Sequence, residues 1–300
     1  ASAPDACRNQ SIGPASATAT TSASRAVVTS MIVTSERIAR EGLLLILYEI
    51  ALSPFVQKVK IALREKGIDF ENRLALAPEH REEFERVCQR QEVPTLVDGE
   101  TAIFDSTVIL DYIEERWPEP SLMPRCPAER AEIRMLEEVC DTQLEAVNFC
   151  LSEMVAFPPS NQDSTLIVVE RGQAELKAIF EFLEKKLGDL DYFGGDHFSR
   201  ADICVLPHLN TAKVMKNGPN SAKLSAWLER ANSRPSVQAT IAEVKEAMPI
   251  FKDIMARIRT GEEKRHYRDH RLDCLVRSGG SPILFDRISD DSVRFPPSFG

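Results

Sequence analysis

The run Leu43-Leu44-Leu45-Ile46-Leu47-Tyr48, and the Ala51-Leu52-Ser53-Pro54-Phe55 that follows it, decide the fold. The first run is short, apolar and branched, the pattern of a buried strand. The second is a small turn that opens a helix. From Pro54 apolar residues recur at Phe55, Val56, Val59, Ile61, Ala62 and Leu63 until Gly67. Proline in the first turn and glycine just past the end punctuate one helix. Working outward, residues 70–76 read as a second strand and the charged 78–84 as helical. Glu92-Val93-Pro94-Thr95-Leu96-Val97-Asp98-Gly99-Glu100 then holds two short strand-like pieces split by an Asp-Gly turn. The proline in front cannot donate to a ladder. Asp105 or Ser106 caps a further amphipathic helix through Val108, Ile109, Leu110 and Ile113.

Three hundred residues build one large or two medium domains. With 37 basic against 46 acidic residues the net charge is -9, which disfavours nucleic acid or an anionic membrane surface as a partner. The most apolar run, residues 42–55, is too short to span a bilayer and is broken by Glu49. Seven cysteines are odd in number, scattered, and never in a Cys-x-x-Cys pair. They read as reduced, buried thiols rather than a disulfide framework. Five scattered histidines give no metal-ligand cluster, so no metal is expected.

Residues 1–41 form an N-terminal extension whose Ala/Ser/Thr-rich start cannot bury enough surface to order itself. Disorder is expected there; the acid-poor composition also fits a piece of an organellar transit peptide. A first domain, α/β, occupies 42–117. Four prolines mark a linker at 118–127. From 128 to 260 the pattern is helical: one helix to about Phe157, where Pro158-Pro159 stops it, another over 164–187, and two more over 224–231 and 237–258. Ser199-Arg200-Ala201-Asp202 is a capping box, with Phe198 and Ile203 as its hydrophobic staple, so Asp202 is structural rather than catalytic. Residues 261–300 are a charged C-terminal extension with no readable role.

Ser53-Pro54-Phe55, Lys58, Ile61-Ala62-Leu63, Val93-Pro94 and Asp105-Ser106, in that order and at those separations, resemble the cytosolic glutathione transferases. The similarity is closest to the branches with serine or cysteine at the active site: tau-like, omega-like and bacterial β-etherase relatives. The resemblance implies a thioredoxin-like N-terminal domain with an all-α C-terminal domain, and a homodimer in the cytoplasm. It departs at Val87-Cys88-Gln89-Arg90-Gln91, where relatives carry Asn-Pro, and at Asp105, where Glu is usual.

Such an enzyme must hold glutathione, its co-substrate, as a thiolate, because the thiolate is the nucleophile. The resemblance gives the activating hydroxyl to Ser53, which precedes a helix start whose N–H groups and dipole add positive potential. Taken alone, the residue also reads as a plain N-cap. Tyr48 is the rival, since other branches use a tyrosine near the end of the first strand; Ser53 ranks above it. The resemblance implies a cis Val93-Pro94 bond that offers the Val93 backbone to the cysteinyl part of glutathione; taken alone, the pair also reads as an ordinary trans proline at a strand start. Asp105 and Ser106 would take the γ-glutamyl end. His80 or Arg81 falls where a cation for the glycine carboxylate is usual. Phe55, with Phe149, Met154 and Phe157, would line the site of a small hydrophobic electrophile.

The reaction expected is attack of the thiolate on that electrophile, as conjugation, ether cleavage or dehalogenation. Two alternatives stand beside it: a non-catalytic binder of glutathione or a hydrophobic ligand on the same fold, and an omega-like thiol transferase. The second needs a cysteine where Ser53 stands, which argues against it.

Overall fold

The computed structural model describes residues 45–295. The expectations for the extension at 1–41 and for Leu43 and Leu44 lie outside those residues. Strand β1 (Leu45–Glu49) leads through the Ser53 turn into helix α1 (Pro54–Glu65) and strand β2 (Phe70–Leu74). Helix α2 (Pro78–Val87), strands β3 (Thr95–Asp98) and β4 (Thr101–Phe104), and helix α3 (Ser106–Arg116) complete the α/β domain.

The sheet order is β2-β1-β3-β4, with β1 parallel to β2 and antiparallel to β3. Side chains of a strand alternate between faces, and β1 uses both. Leu45 and Leu47 pack with Val59, Leu63, Leu96, Ile109 and Ile113 beneath α1 and α3. Tyr48 packs on the opposite side with Phe84 and Cys88. That is why the run in β1 is apolar without interruption. Gly99, at φ 62°, makes the tight β3–β4 turn that the Asp-Gly pair predicts.

The linker is clamped rather than loose. Lys66 Nζ donates to the carbonyls of Trp117 (2.8 Å) and Pro120 (2.7 Å), and Glu114 accepts from the Leu122 N–H. Leu122 and Met123 are buried in the helical core. Helix α4 (Pro127–Glu138) runs through a π-helical segment (Val139–Leu144) into α5 (Glu145–Ala156), so the long helix ends where the two prolines stop it. Helices α6 (Gln162–Leu187), α7 (Arg200–Val214), α8 (Ala222–Asn232), α9 (Pro235–Glu246) and α10 (Met248–Thr260) follow. The single helix expected over 237–258 is two, because Pro249 has no N–H to continue the α9 ladder. The capping box forms: Asp202 accepts from the Ser199 and Phe193 N–H groups and from Trp227 Nε1 at 2.8 Å, and is fully buried.

The segment past Gly261 folds onto this domain. Strands β5 (Arg265–His266) and β6 (Val293–Arg294) pair, with α11 (Asp269–Arg277) and α12 (Ser281–Ser289) between them. Tyr267 is buried and donates to Glu153 (3.0 Å), as does Arg287 (2.7 Å). Glu145 accepts from Arg271 Nε at 3.1 Å and lies 2.8 Å from His270 Nε2. Although burial opposes it, Arg271 and His270 hold the Glu145 carboxyl at about 2.

A carboxylate held that low contributes stability in full above its unfolded value, roughly 4.3, and loses it as pH falls toward about 2. We expect Glu145→Gln to lower the opening free energy of residues 265–289 by about 3 kcal/mol at neutral pH. We also expect wild-type protection there to weaken below pH ~4. Hydrogen exchange of that segment checks both; protection indifferent to the substitution and to acid would contradict the ion pair's role.

Candidate active site

Three backbone features meet at one cavity of about 120 Å³: the start of α1, the Val93-Pro94 bond and the start of α3. Its walls include Phe55, Val93, Pro94, Asp105, Ser106 and Thr107 from the α/β domain. Glu138, Asp141 and Thr142 of the α4–π segment face them. Arg268 and His270 of the C-terminal segment close another side, with Glu92 beside Val93.

The Val93-Pro94 peptide is cis, as the resemblance implied. Asp105, not Ser106, is the N-cap of α3: its Oδ1 accepts from the Thr107 (2.9 Å) and Val108 (3.3 Å) N–H groups. Its backbone sits at φ 71°, a conformation that residues other than glycine seldom adopt, and such outliers gather at binding sites. Ser106 is buried immediately beside it.

Ser53 is half-buried at the N-cap position of α1, where its carbonyl accepts from the Gln57 N–H, yet its hydroxyl caps nothing. The plain-cap reading therefore lacks its hydrogen bond. Gln57 Nε2 donates to the carbonyls of Ala51 (3.2 Å) and Leu52 (3.3 Å), which fixes the turn that carries the serine. Ser53 itself stands two residues before Phe55, outside the cavity wall.

Tyr48 and His80 stand apart from that wall. The Tyr48 ring is fully buried 5.4 Å from Phe84, and its hydroxyl accepts from Arg73 Nη1 at 3.4 Å. Burial raises its pKa, so the phenol keeps its proton, but the ring is packed into the core with Phe84 and Cys88, away from the cavity wall. His80 Nδ1 lies 3.4 Å from the Leu74 carbonyl, and Arg81 pairs with Glu85. Of the proposed electrophile contacts, Phe55 alone lines the cavity. Phe149 packs edge-on to Tyr267, Met154 is core, and Phe157 lies beneath Arg259 and Arg265. The folded C-terminal segment covers them.

A charge cluster under the cavity escaped the sequence reading. Lys58 has none of its side chain exposed, and its Nζ donates to Asp141 (2.6 Å), Glu137 (2.8 Å) and Ser106 Oγ (3.3 Å). Glu137 also accepts from Arg200 Nη2 at 2.6 Å, Arg200 reaches Asp111 and the Thr107 carbonyl, and His208 Nε2 lies 3.2 Å from Asp141. Burial opposes ionisation throughout, but Lys58 and His208 bring the Asp141 carboxyl down to about 2, while Asp141 and Glu137 push the lysine up. The ring thus pins the Ser106 hydroxyl and the first turn of α3. The signal available in the sequence was charge at apolar helical positions: Lys58 between Val56 and Val59, and Glu137 four residues before Asp141.

A small cleft with a cis-proline wall and a capped Asp-Ser pair lies where an α/β domain meets a helical domain, the two-domain arrangement of the glutathione transferase fold. The glutathione S-transferase N-terminal domain model matches residues 47–121, and the C-terminal domain model residues 140–235. Glutathione S-transferase U28 of Arabidopsis thaliana is 30% identical over 209 residues, 64% of this chain and 85% of that protein. A glutathione S-transferase structure from Rhodospirillum rubrum F11 aligns with TM-score 0.57 at 28% identity, covering 66% of this chain and 91% of that one. A tau class structure from mango (Mangifera indica) shares the fold at TM-score 0.57 and 23% identity, covering 69% and 97%. The chain belongs to the glutathione S-transferase family.

Removing one partner from a buried ionic ring leaves the others uncompensated. We expect Lys58→Met to lose about 3–5 kcal/mol of stability, seen as a lower urea midpoint at unchanged slope. A loss under ~1 kcal/mol would mean the ring behaves as a set of weak surface pairs.

Proposed function

We propose that this transferase activates glutathione through the Ser53 hydroxyl, and that the thiolate then attacks a small hydrophobic electrophile. The observation that carries the reading is that the hydroxyl stands at the start of α1 without capping it. It is left available to donate to a sulfur anion, with the first free N–H groups of α1 adding positive potential. Serine suits the role because it donates a hydrogen bond without displacing the thiolate as nucleophile.

The same geometry supports places for the rest of the tripeptide. The Val93 backbone, ahead of the cis proline, pairs with the cysteinyl unit as an added strand would. Ser106, held by Lys58, receives the γ-glutamyl carboxylate; Asp105, whose Oδ1 caps the Thr107 and Val108 N–H groups, answers its ammonium. Once the sulfur is anionic, conjugation, ether cleavage and dehalogenation differ only in the leaving group. We further propose a homodimer: β4, α3 and α4 leave Phe104, Val108 and Met135 exposed, and a second copy would cover them. Analytical ultracentrifugation should give twice the chain mass, and Met135→Glu should shift it toward the monomer.

Following thiolate absorbance of bound glutathione against pH tests the activation. A free thiol titrates near ~8.5, and each unit of lowering takes roughly 1.4 kcal/mol of anion stabilisation. We expect the bound thiol one to two units lower, near ~7. Ser53→Ala should return it toward the free value and cut turnover about 100-fold. Tyr48→Phe should leave the titration in place. A bound thiol that titrates normally in wild type, or one that Ser53→Ala does not move, would overturn the assignment.

A further inference from the structure

The cavity is electrically polarised, and its positive end comes from the C-terminal segment. Asp105, Glu138 and Asp141 gather where α3 and the α4–π segment meet; Arg268 stands by Glu92 and Val93. Arg268 is the N-cap residue of α11, so its backbone is fixed by the Leu272 and Arg271 N–H groups that its carbonyl accepts. Its guanidinium lies 6.0 Å from the centre of the Phe55 ring and 3.5 Å from Glu92 Oε2. Glu92 is already engaged by Arg90 Nη2 at 2.8 Å. Arg268 thus touches its acid only at the limit of hydrogen-bond range, on a side chain still 25% exposed, with donors to spare.

The surrounding field has the same sign. His266, beside it in the fold, is brought down to about 4 by burial and by Arg294, Arg271, Arg268 and Arg90. Burial is the larger cause, and the four guanidinium groups act in the same direction. Glutathione is a dipolar peptide that matches such a cavity: ammonium and carboxylate at the γ-glutamyl end, a lone carboxylate at the glycine end.

We propose that Arg268 is a specificity-determining residue that receives the glycine carboxylate of glutathione, so that the C-terminal segment completes the peptide site. This rests on the reading of the cavity given above. His80 and Arg81, the cations nearest by sequence count, are turned to the Leu74 carbonyl and to Glu85, which leaves the task to another element. Arg268 also offers a planar fork matched to a carboxylate, where the alternatives on α2 offer an imidazole or an exposed, paired guanidinium.

Calorimetric titration of the full chain with two peptides tests this: glutathione, and γ-glutamylcysteine, which lacks the glycine. Arg268→Ala should weaken glutathione about tenfold and leave γ-glutamylcysteine within about twofold, while Arg268→Lys keeps part of the difference. Unchanged γ-glutamylcysteine binding also shows that the variant is folded around its site. Ser106→Ala should weaken both peptides. Glutathione binding that survives Arg268→Ala, or equal weakening of both peptides, overturns the inference and leaves the transferase site standing. Wild type that binds neither peptide overturns the site reading and this inference together.

Discussion

An ammonium group sealed from water, Lys58 Nζ, sits where the two domains meet, and most of the active site is arranged by what it must do to stay charged. Burying a lone charge is prohibitive, so partners have to be brought to it. Glu137 and Asp141 come from the helical domain and Ser106 from the first turn of α3. Arg200 and His208, on α7, balance the two acids in turn. The helical domain is therefore held in a single arrangement against the start of α3. The π segment belongs to this requirement: it carries Asp141, which faces both the lysine and the cavity. π-helical turns recur at functional sites because they re-aim a side chain within a continuing helix.

A second constraint works from the far side. The C-terminal segment covers the aromatic face of α5 and is tied down by Glu145 and Glu153, each buried and each matched to an arginine. One consequence is a small cavity lined by Phe55 but not by Phe149, Met154 or Phe157. Phe149 and Phe157, free to line an electrophile pocket in a chain ending near residue 260, here support Tyr267, Arg271 and Arg265.

What the sequence made legible was local. Proline at the start of α1, glycine after it, the Asp-Gly hairpin and the Ser199–Asp202 box each act within a few residues, and each formed as expected. The order of Ser53, Val93-Pro94 and Asp105-Ser106 also carried the family, since spacing along the chain survives where contacts cannot be seen. What stayed hidden was long-range. Lys58 finds its acids 79 and 83 residues away, and nothing near it announces them. Arg268 reads as one more charge in a charged tail until folding brings it to Glu92, which lies in another domain. The break at Pro249 is different in kind: the residue stands in plain view, but an apolar helical period runs straight across it.

The central claim is that Ser53 meets the sulfur of a peptide laid along Val93, and a crystal structure with glutathione bound tests it most directly. The account predicts the sulfur within hydrogen-bond reach of Ser53 Oγ, roughly 3.0–3.5 Å away, with the cysteinyl backbone paired to Val93 and the γ-glutamyl end at Ser106. Sulfur bound elsewhere, or a peptide that leaves Val93 unpaired, would contradict it.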